Sequence, residues 1–198
     1  MKFLIAILFA QLATGDVAKL DATQPITYAI HNGKSVRGFD DGDVELAELA
    51  LKAWARESGG KLKFVRSTEQ TAMVHVVWSG PNGGLFGETQ RLQVGGKPGA
   101  VVFVMPDIRQ LGEPLASTAA NDRLLRDTIV YLTCVHELGH AVGLGHTTNF
   151  ADIMYSFTNG GDFVEYFSRY RRQLKSRADI ARFSGVSAAD TAALKSLY

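Results

Sequence analysis

Three of the chain's five histidines fall within His136-Glu137-Leu138-Gly139-His140-Ala141-Val142-Gly143-Leu144-Gly145-His146. On a helix, His136 and His140 share one face one turn apart, with Cβ atoms about 5–6 Å from each other. That spacing lets two imidazoles reach one ion at about 2.0–2.1 Å each. Glu137 lies beside them and can lean over the same ion without binding it, in reach of a proton on a water held there. Gly143 can take the left-handed conformation that ends a helix. The chain then turns, and three residues later His146 can supply a third nitrogen. Three neutral imidazoles with a fourth position open describe a catalytic zinc, because structural zinc sites are closed by four protein ligands. Two histidines on a helix by chance would explain only His136 and His140. Here five positions fit one geometry. Met154 follows His146 by eight residues, in Asp152-Ile153-Met154-Tyr155.

These residues need a frame, and hydrophobic patterning marks one. Ile26-Thr27-Tyr28-Ala29-Ile30 is β-branched and aromatic, a first strand that His31-Asn32-Gly33 breaks. Asp41 or Asp43 is placed to cap a helix running to about Glu57, with Val44, Ala47, Leu51 and Trp54 at helical spacing. Leu62–Val65 and Met73–Trp78 read as strands, with His31 and His75 as a surface and a structural residue. Gly80-Pro81-Asn82-Gly83-Gly84 is a loop. Short strands follow over Leu85–Gln90 and Ala100–Val104. From Asn121 a long helix carries Leu125, Ile129, Leu132 and Val135 inward, leads into His136, and should turn Arg123, Arg126 and Asp127 to solvent. Residues 156–185 are polar and aromatic, and Leu174, Ile180 and Ala181 suggest a short helix in the second half. Ser187 and Asp190 form a capping box for a last helix ending at Leu197-Tyr198.

The chain has 198 residues, 46% of them hydrophobic, and a formal net charge of +1. That is enough for one domain with a substantial core, and the near-neutral charge gives no support for nucleic-acid binding. Lys2 followed by the apolar run Phe3–Ala10 reads as a secretory signal, with Ala13-Thr14-Gly15 as cleavage site. The run is too short to span a bilayer. The expected division is a signal peptide at 1–15, a loose mature N-terminus at 16–25 and a catalytic domain at 26–198. Cys134 is the only cysteine, so no internal disulfide is expected and Cys134 reads as a small core residue.

The eleven-residue motif, HExxHxxGxxH, resembles that of the metzincin metallopeptidases. Met154 resembles their Met-turn, and its distance from His146, with Tyr155 directly after it, is similar to the matrixin branch. The order of elements resembles a matrixin catalytic domain over nearly the whole mature chain, including Ile26-Thr27-Tyr28, Trp54, Ala72–Trp78 and Val186–Tyr198. The resemblance implies an α+β (α/β-like) fold, with a twisted, mixed five-stranded sheet, an active-site helix, the Met-turn and a C-terminal helix. It implies one catalytic zinc on His136, His140 and His146, Glu137 as general base, and hydrolysis of peptide bonds by a zinc-bound water. An antiparallel edge strand near Leu85–Gln90 would receive the peptide as an added strand. The expected partner is a protein or peptide substrate of a secreted monomer, with no nucleic acid and no stable membrane anchor.

The chain departs from the family in places. A cysteine-switch propeptide and a haemopexin-like domain are absent from the sequence. Pro81-Asn82-Gly83-Gly84 replaces the loop that holds a structural zinc in vertebrate matrixins, so a second zinc is not implied. Calcium is compatible with the family, but no residues mark a site for it. Asp21 is one carboxylate that could reach the zinc and block it. In residues 156–185, the aromatic first half, with Phe157, Phe163, Tyr166, Phe167 and Tyr170, would wall an apolar pocket for the side chain after the scissile bond, and Arg169, Arg171 and Arg172 would form a basic rim. A catalytically inactive, zinc-stabilised binding module of the same fold is the alternative function, and a zinc hydrolase of non-peptide substrates is a third.

Overall fold

A computed structural model of the chain describes residues 19–80 and 86–198. The signal-peptide reading of residues 1–15, the start of the N-terminal segment and most of the loop at 80–84 therefore lie outside the described residues. Five strands form one sheet: β1 (Ile26–Ile30), β2 (Phe64–Arg66), β3 (Val74–Trp78), β4 (Gly87–Val94) and β5 (Lys97–Val104), in the order β2-β1-β3-β5-β4. The pairs β1–β2, β1–β3 and β3–β5 are parallel, and β4 runs antiparallel to β5. This is the expected mixed α/β sheet with an antiparallel edge. Val74, Val76, Ala100, Val102 and Val104 are fully buried along the central strands, as strands covered by crossover helices require.

β4 and β5 are longer than their apolar residues alone suggest. Val94 pairs with Lys97 across Gly95-Gly96, which take φ 57° and 80°. Two consecutive left-handed residues make the tight hairpin turn whose twist suits the flanking strands.

Two helices carry the site. α1 (Asp43–Glu57) packs on the long helix α3 (Arg123–Ala141). Its N-cap is Gly42, with no side-chain cap bond, so neither Asp41 nor Asp43 plays the expected capping part. Asp43 turns inward instead and is fully buried. The Arg126 guanidinium meets both of its oxygens and donates to the Gly38 carbonyl at 2.8 Å. Arg126 and Asp127 are thus buried, at 6% and 2% exposure, where helical spacing had placed them in solvent. Asp127 accepts from Arg123 and Arg177. Only Arg123, 60% exposed, keeps the expected solvent position. A buried charge is tolerated when paired and hydrogen-bonded, and here the partners come from distant segments.

The helix expected from Asn121 starts at Arg123, and a short helix that the spacing did not suggest precedes it. α2 (Leu115–Asn121) stops at Asp122, whose side chain accepts from Leu125 N at 3.0 Å and starts α3. Cys134 is fully buried, and burial pushes its thiol pKa up. His31 and His75 touch each other, Nε2 to Nδ1 at 3.0 Å.

The segment 156–185 folds as α4 (Phe163–Arg171), which packs on α3, and a 3-10 turn over Arg177–Ala181. Its α-helix therefore lies mainly in the first half of the segment. Asp162 caps α4 by accepting from Val164 N and Glu165 N. The last helix, α5 (Ala188–Leu197), starts at the Ser187–Asp190 capping box, as expected. No helix among the described residues is long and apolar enough to cross a membrane.

Candidate metal centre

α3 ends at Ala141, and Gly143 takes φ 109°, turning the chain away. His146 thereby comes back toward the helix. Its Nε2 lies 3.3 Å from His136 Nε2 and 3.1 Å from His140 Nε2. The other ring nitrogens face backbone carbonyls: His136 Nδ1 is 2.6 Å from Ile153 O and His140 Nδ1 is 2.9 Å from Leu144 O. A carbonyl only accepts, so each Nδ1 carries the hydrogen and each Nε2 presents a lone pair. Burial favours these neutral rings, holding His136 down at about 3 and lowering His140 and His146.

A tetrahedral ion with bonds of about 2.0–2.1 Å sets its nitrogens about 3.3–3.4 Å apart. The two spacings to His146 come close to that value, and the three ligand atoms all lie within 4.8 Å of one another. At most one hydrogen, on His146, is available to three converging nitrogens, so a cation at their centre satisfies the lone pairs. Among the described residues, this is the one cluster of three His, Cys, Asp or Glu that could hold a metal ion. Asp21 does not block it: its carboxylate accepts from Lys97 Nζ at 2.8 Å and from Thr23.

The support beneath the triad is built from three elements. Thr147 N donates to Met154 O and Ser156 N to Thr147 O, fastening the segment after His146 to Met154–Ser156. Asp190 of α5 accepts from Ile153 N at 2.8 Å and Met154 N at 3.4 Å. Ile153 O, which receives His136, also receives the Tyr166 hydroxyl of α4 at 2.8 Å. Met154 is buried, with its sulfur against Gly139, where a Cβ would collide with it. The Trp54 indole closes the other side and donates to Val135 O at 2.8 Å.

Glu137 is 7% exposed, and burial pushes its carboxyl up to about 7 against the lowering effect of the Thr89 hydroxyl. It lines a cleft of about 400 Å³ together with the three histidines, the β4 residues Gly87 and Thr89, and an aromatic group. In that group Phe157 stacks on Phe163 at 4.0 Å, and Phe163 meets Phe86 edge-on at 5.2 Å. Phe157, Phe163, Tyr166 and Phe167 of the 156–185 expectation therefore stand beside the histidines; Tyr170 does not, its ring stacking on Tyr131 and its hydroxyl donating to Phe183 O at 2.6 Å. The basic rim is not there. Arg169 donates to Phe150 O and lies over the Tyr166 ring, Arg171 pairs with Asp122 at 2.9 Å, and Arg172 pairs with Glu165 at 2.6 Å. None of the three lines the cleft. Each arginine found a nearer carboxylate, carbonyl or ring.

Sequence reasoning brought the three histidines, Glu137 and Met154 to one place. It passed over Gly87, Thr89, the bond from the Tyr166 hydroxyl to Ile153 O, and the bonds from Asp190 to Ile153 and Met154. A threonine two residues from a glycine on an edge strand carries no special mark. The capping box did single out Asp190, but not its second use.

Residues 115–166 match the model of the matrixin family of peptidases. The match covers α2, α3, the histidine motif and the support through Tyr166. No curated protein matches the chain. The family match over this stretch supports a metallopeptidase-type domain. More closely, it is a matrixin-like one, with a mostly parallel five-stranded sheet behind the motif helix.

Proposed function

We propose that the protein is a secreted zinc endopeptidase. The observation that carries this reading is the convergence of three histidine nitrogens, all within 4.8 Å of one another, beside a buried carboxylate in one apolar cleft. His136, His140 and His146 would hold the ion. Bound zinc would supply Lewis acidity, polarising a substrate carbonyl and making water a nucleophile near neutral pH. Glu137 takes the proton from the attacking water and returns it to the leaving amine. Its raised proton affinity, about 7, suits a group that must both accept and release a proton near neutral pH.

A peptide would lie along β4, the free edge of the sheet, held by main-chain hydrogen bonds. Phe86, Leu132, Phe157, Phe163 and Phe167 offer an apolar pocket to the side chain that follows the scissile bond. With the arginines engaged elsewhere, this pocket selects by size and apolarity rather than charge. Secretion, with cleavage after about Gly15, is part of the same proposal, as is Met154 as the Met-turn.

The test is digestion of casein and gelatin by purified protein, with and without chelator, alongside Glu137→Ala. The expected result is chelator-sensitive cleavage by wild type, and loss of cleavage in Glu137→Ala with about one zinc per chain retained. Zinc binding without cleavage by the wild type would favour the binding module instead.

A further inference from the structure

We infer that Thr89 is a positioning residue for Glu137, fixing which carboxylate oxygen handles the proton; the inference rests on the peptidase reading above. Thr89 sits on β4, and its side chain points at α3. Thr89 Oγ1 lies 2.8 Å from Glu137 Oε2 and 2.7 Å from the Glu137 carbonyl oxygen. A hydroxyl has one hydrogen to donate, and an ionised carboxylate is a stronger acceptor than an amide carbonyl. The hydrogen therefore goes to Oε2.

The neighbouring position on the same face of β4 bounds the other oxygen. A Cβ on Gly87 would stand 2.6 Å from Glu137 Cγ and 2.8 Å from Oε1. The bare strand backbone thus lies flush on the glutamate stem and blocks its swing toward the sheet. One position further along, Arg91 donates to the carbonyls of His140 and Ala141, the latter at 2.7 Å. The end of α3 is thereby tied to the same strand, so the distance from Thr89 to Glu137 does not drift. Oε2 is tethered, the stem is walled, and Oε1 is left as the oxygen that exchanges the proton. A glutamate side chain has three rotatable bonds, and a base must be aimed to be effective. Here the edge strand aims it.

Thr89→Val keeps the β-branched shape that suits a strand and removes only the hydroxyl. Thr89→Ser keeps the hydroxyl. Both are compared with the wild type as full-length, zinc-loaded protein. Three quantities are read: kcat and KM on a peptide, zinc content, and calorimetric affinity for acetohydroxamate, whose acidic hydroxyl needs an aimed carboxylate to receive its proton. For Thr89→Val the expected result is a kcat about tenfold to a hundredfold lower, the weight of one hydrogen bond to a charged group. KM should stay within about twofold, with zinc unchanged and acetohydroxamate about tenfold weaker. Thr89→Ser should restore most of both. A Thr89→Val protein with kcat and acetohydroxamate affinity both near wild type would overturn the inference. So would a Thr89→Ser protein as impaired as Thr89→Val, since the contact would then be packing. If wild type cleaves no peptide but Thr89→Val still loosens acetohydroxamate and Thr89→Ser restores it, the peptidase reading falls and the tether stands.

Discussion

Gly139 lies inside the motif helix between the two histidines' turns, and replacing it with alanine sets two known effects against each other. Alanine in a helix interior is favoured over glycine by about 0.8–1 kcal/mol. Against this, the new Cβ would overlap Met154 Sδ and stand 3.0 Å from Trp54 Cζ2. Neither neighbour has room to yield: Trp54 is fully buried with its indole bonded to Val135 O, and Met154 is buried with its backbone N held by Asp190. Overpacking a full core costs about 1–3 kcal/mol, so Gly139→Ala should lose about 1–2 kcal/mol net. The helix can relieve the clash only by lifting off Met154, which stretches the bond from His136 Nδ1 to Ile153 O. Zinc affinity should then fall about tenfold, as when an outer partner of a ligand histidine is lost. Urea unfolding of the metal-free protein reads the first effect, and competition with a chelator of known affinity reads the second. Met154→Ala alone should cost about 2–5 kcal/mol. Combined with Gly139→Ala it should cost less than the sum by about 1 kcal/mol, because the added methyl occupies space the sulfur vacates. A Gly139→Ala protein as stable as wild type with unchanged zinc affinity, or strict additivity in the double variant, would refute this account of the packing.

Two further outcomes follow from buried charge. Arg126→Met should destabilise by about 3–5 kcal/mol, since Asp43 is left charged, buried and unpaired; Asp43→Leu/Arg126→Met should recover much of that, and a double variant no better than the single would show that the pairing is not what matters. In chelator, the pH dependence of stability should have two opposing parts. His136 sits at about 3 when folded against 6.5 for the free side chain, so the unfolded chain gains protons first and stability falls as pH drops from 6.5 toward 3. Glu137 sits at about 7 against 4.5, so the folded chain gains protons first and stability rises as pH drops from 7 toward 4.5. His140 and His146 are lowered as well, so the urea midpoint should fall from pH 6.5 to 4.5, softened by Glu137, and fall more steeply below 4.5. Glu137→Gln should steepen the upper range, and an unchanged profile there would remove Glu137 from the balance.

The candidate metal site was readable in the sequence because its main parts are local. His136 and His140 are set by one helical turn, and His146 by a glycine that can only be there to turn the chain. The sheet was readable from β-branched runs, and the last helix from its capping box. What escaped depends on partners far along the chain. Arg126 looks like a solvent residue until Asp43, 83 positions earlier, is placed against it. Thr89 gains its meaning from Glu137, 48 positions later. The arginines of 169–172 looked like one basic patch, but Phe150, Asp122 and Glu165 each claim one. The helix over Leu115–Asn121 escaped because only Leu115 and Ala119 in it are buried, too few for periodicity to register. The Gly95-Gly96 hairpin was visible in principle, since paired glycines between extended runs mark such turns.

The bonds from Asp190 to Ile153 and Met154 also bear on the order in which the protein is made. The three candidate ligands occupy positions 136–146, so a ribosome has delivered the complete triad while α4 and α5 are still unwritten. The carbonyl that orients His136 arrives with Ile153, its second donor with Tyr166, and the carboxylate that fixes the turn only with Asp190. Zinc caught by the nascent histidines would bind a motif whose rings are not yet aimed. Metal that binds unfolded chain stabilises the fold less than its final affinity implies. Of these elements α5 comes latest along the chain, so it would be the one to convert a loose chelate into a fixed centre, and metal exchange should slow sharply only once it has docked.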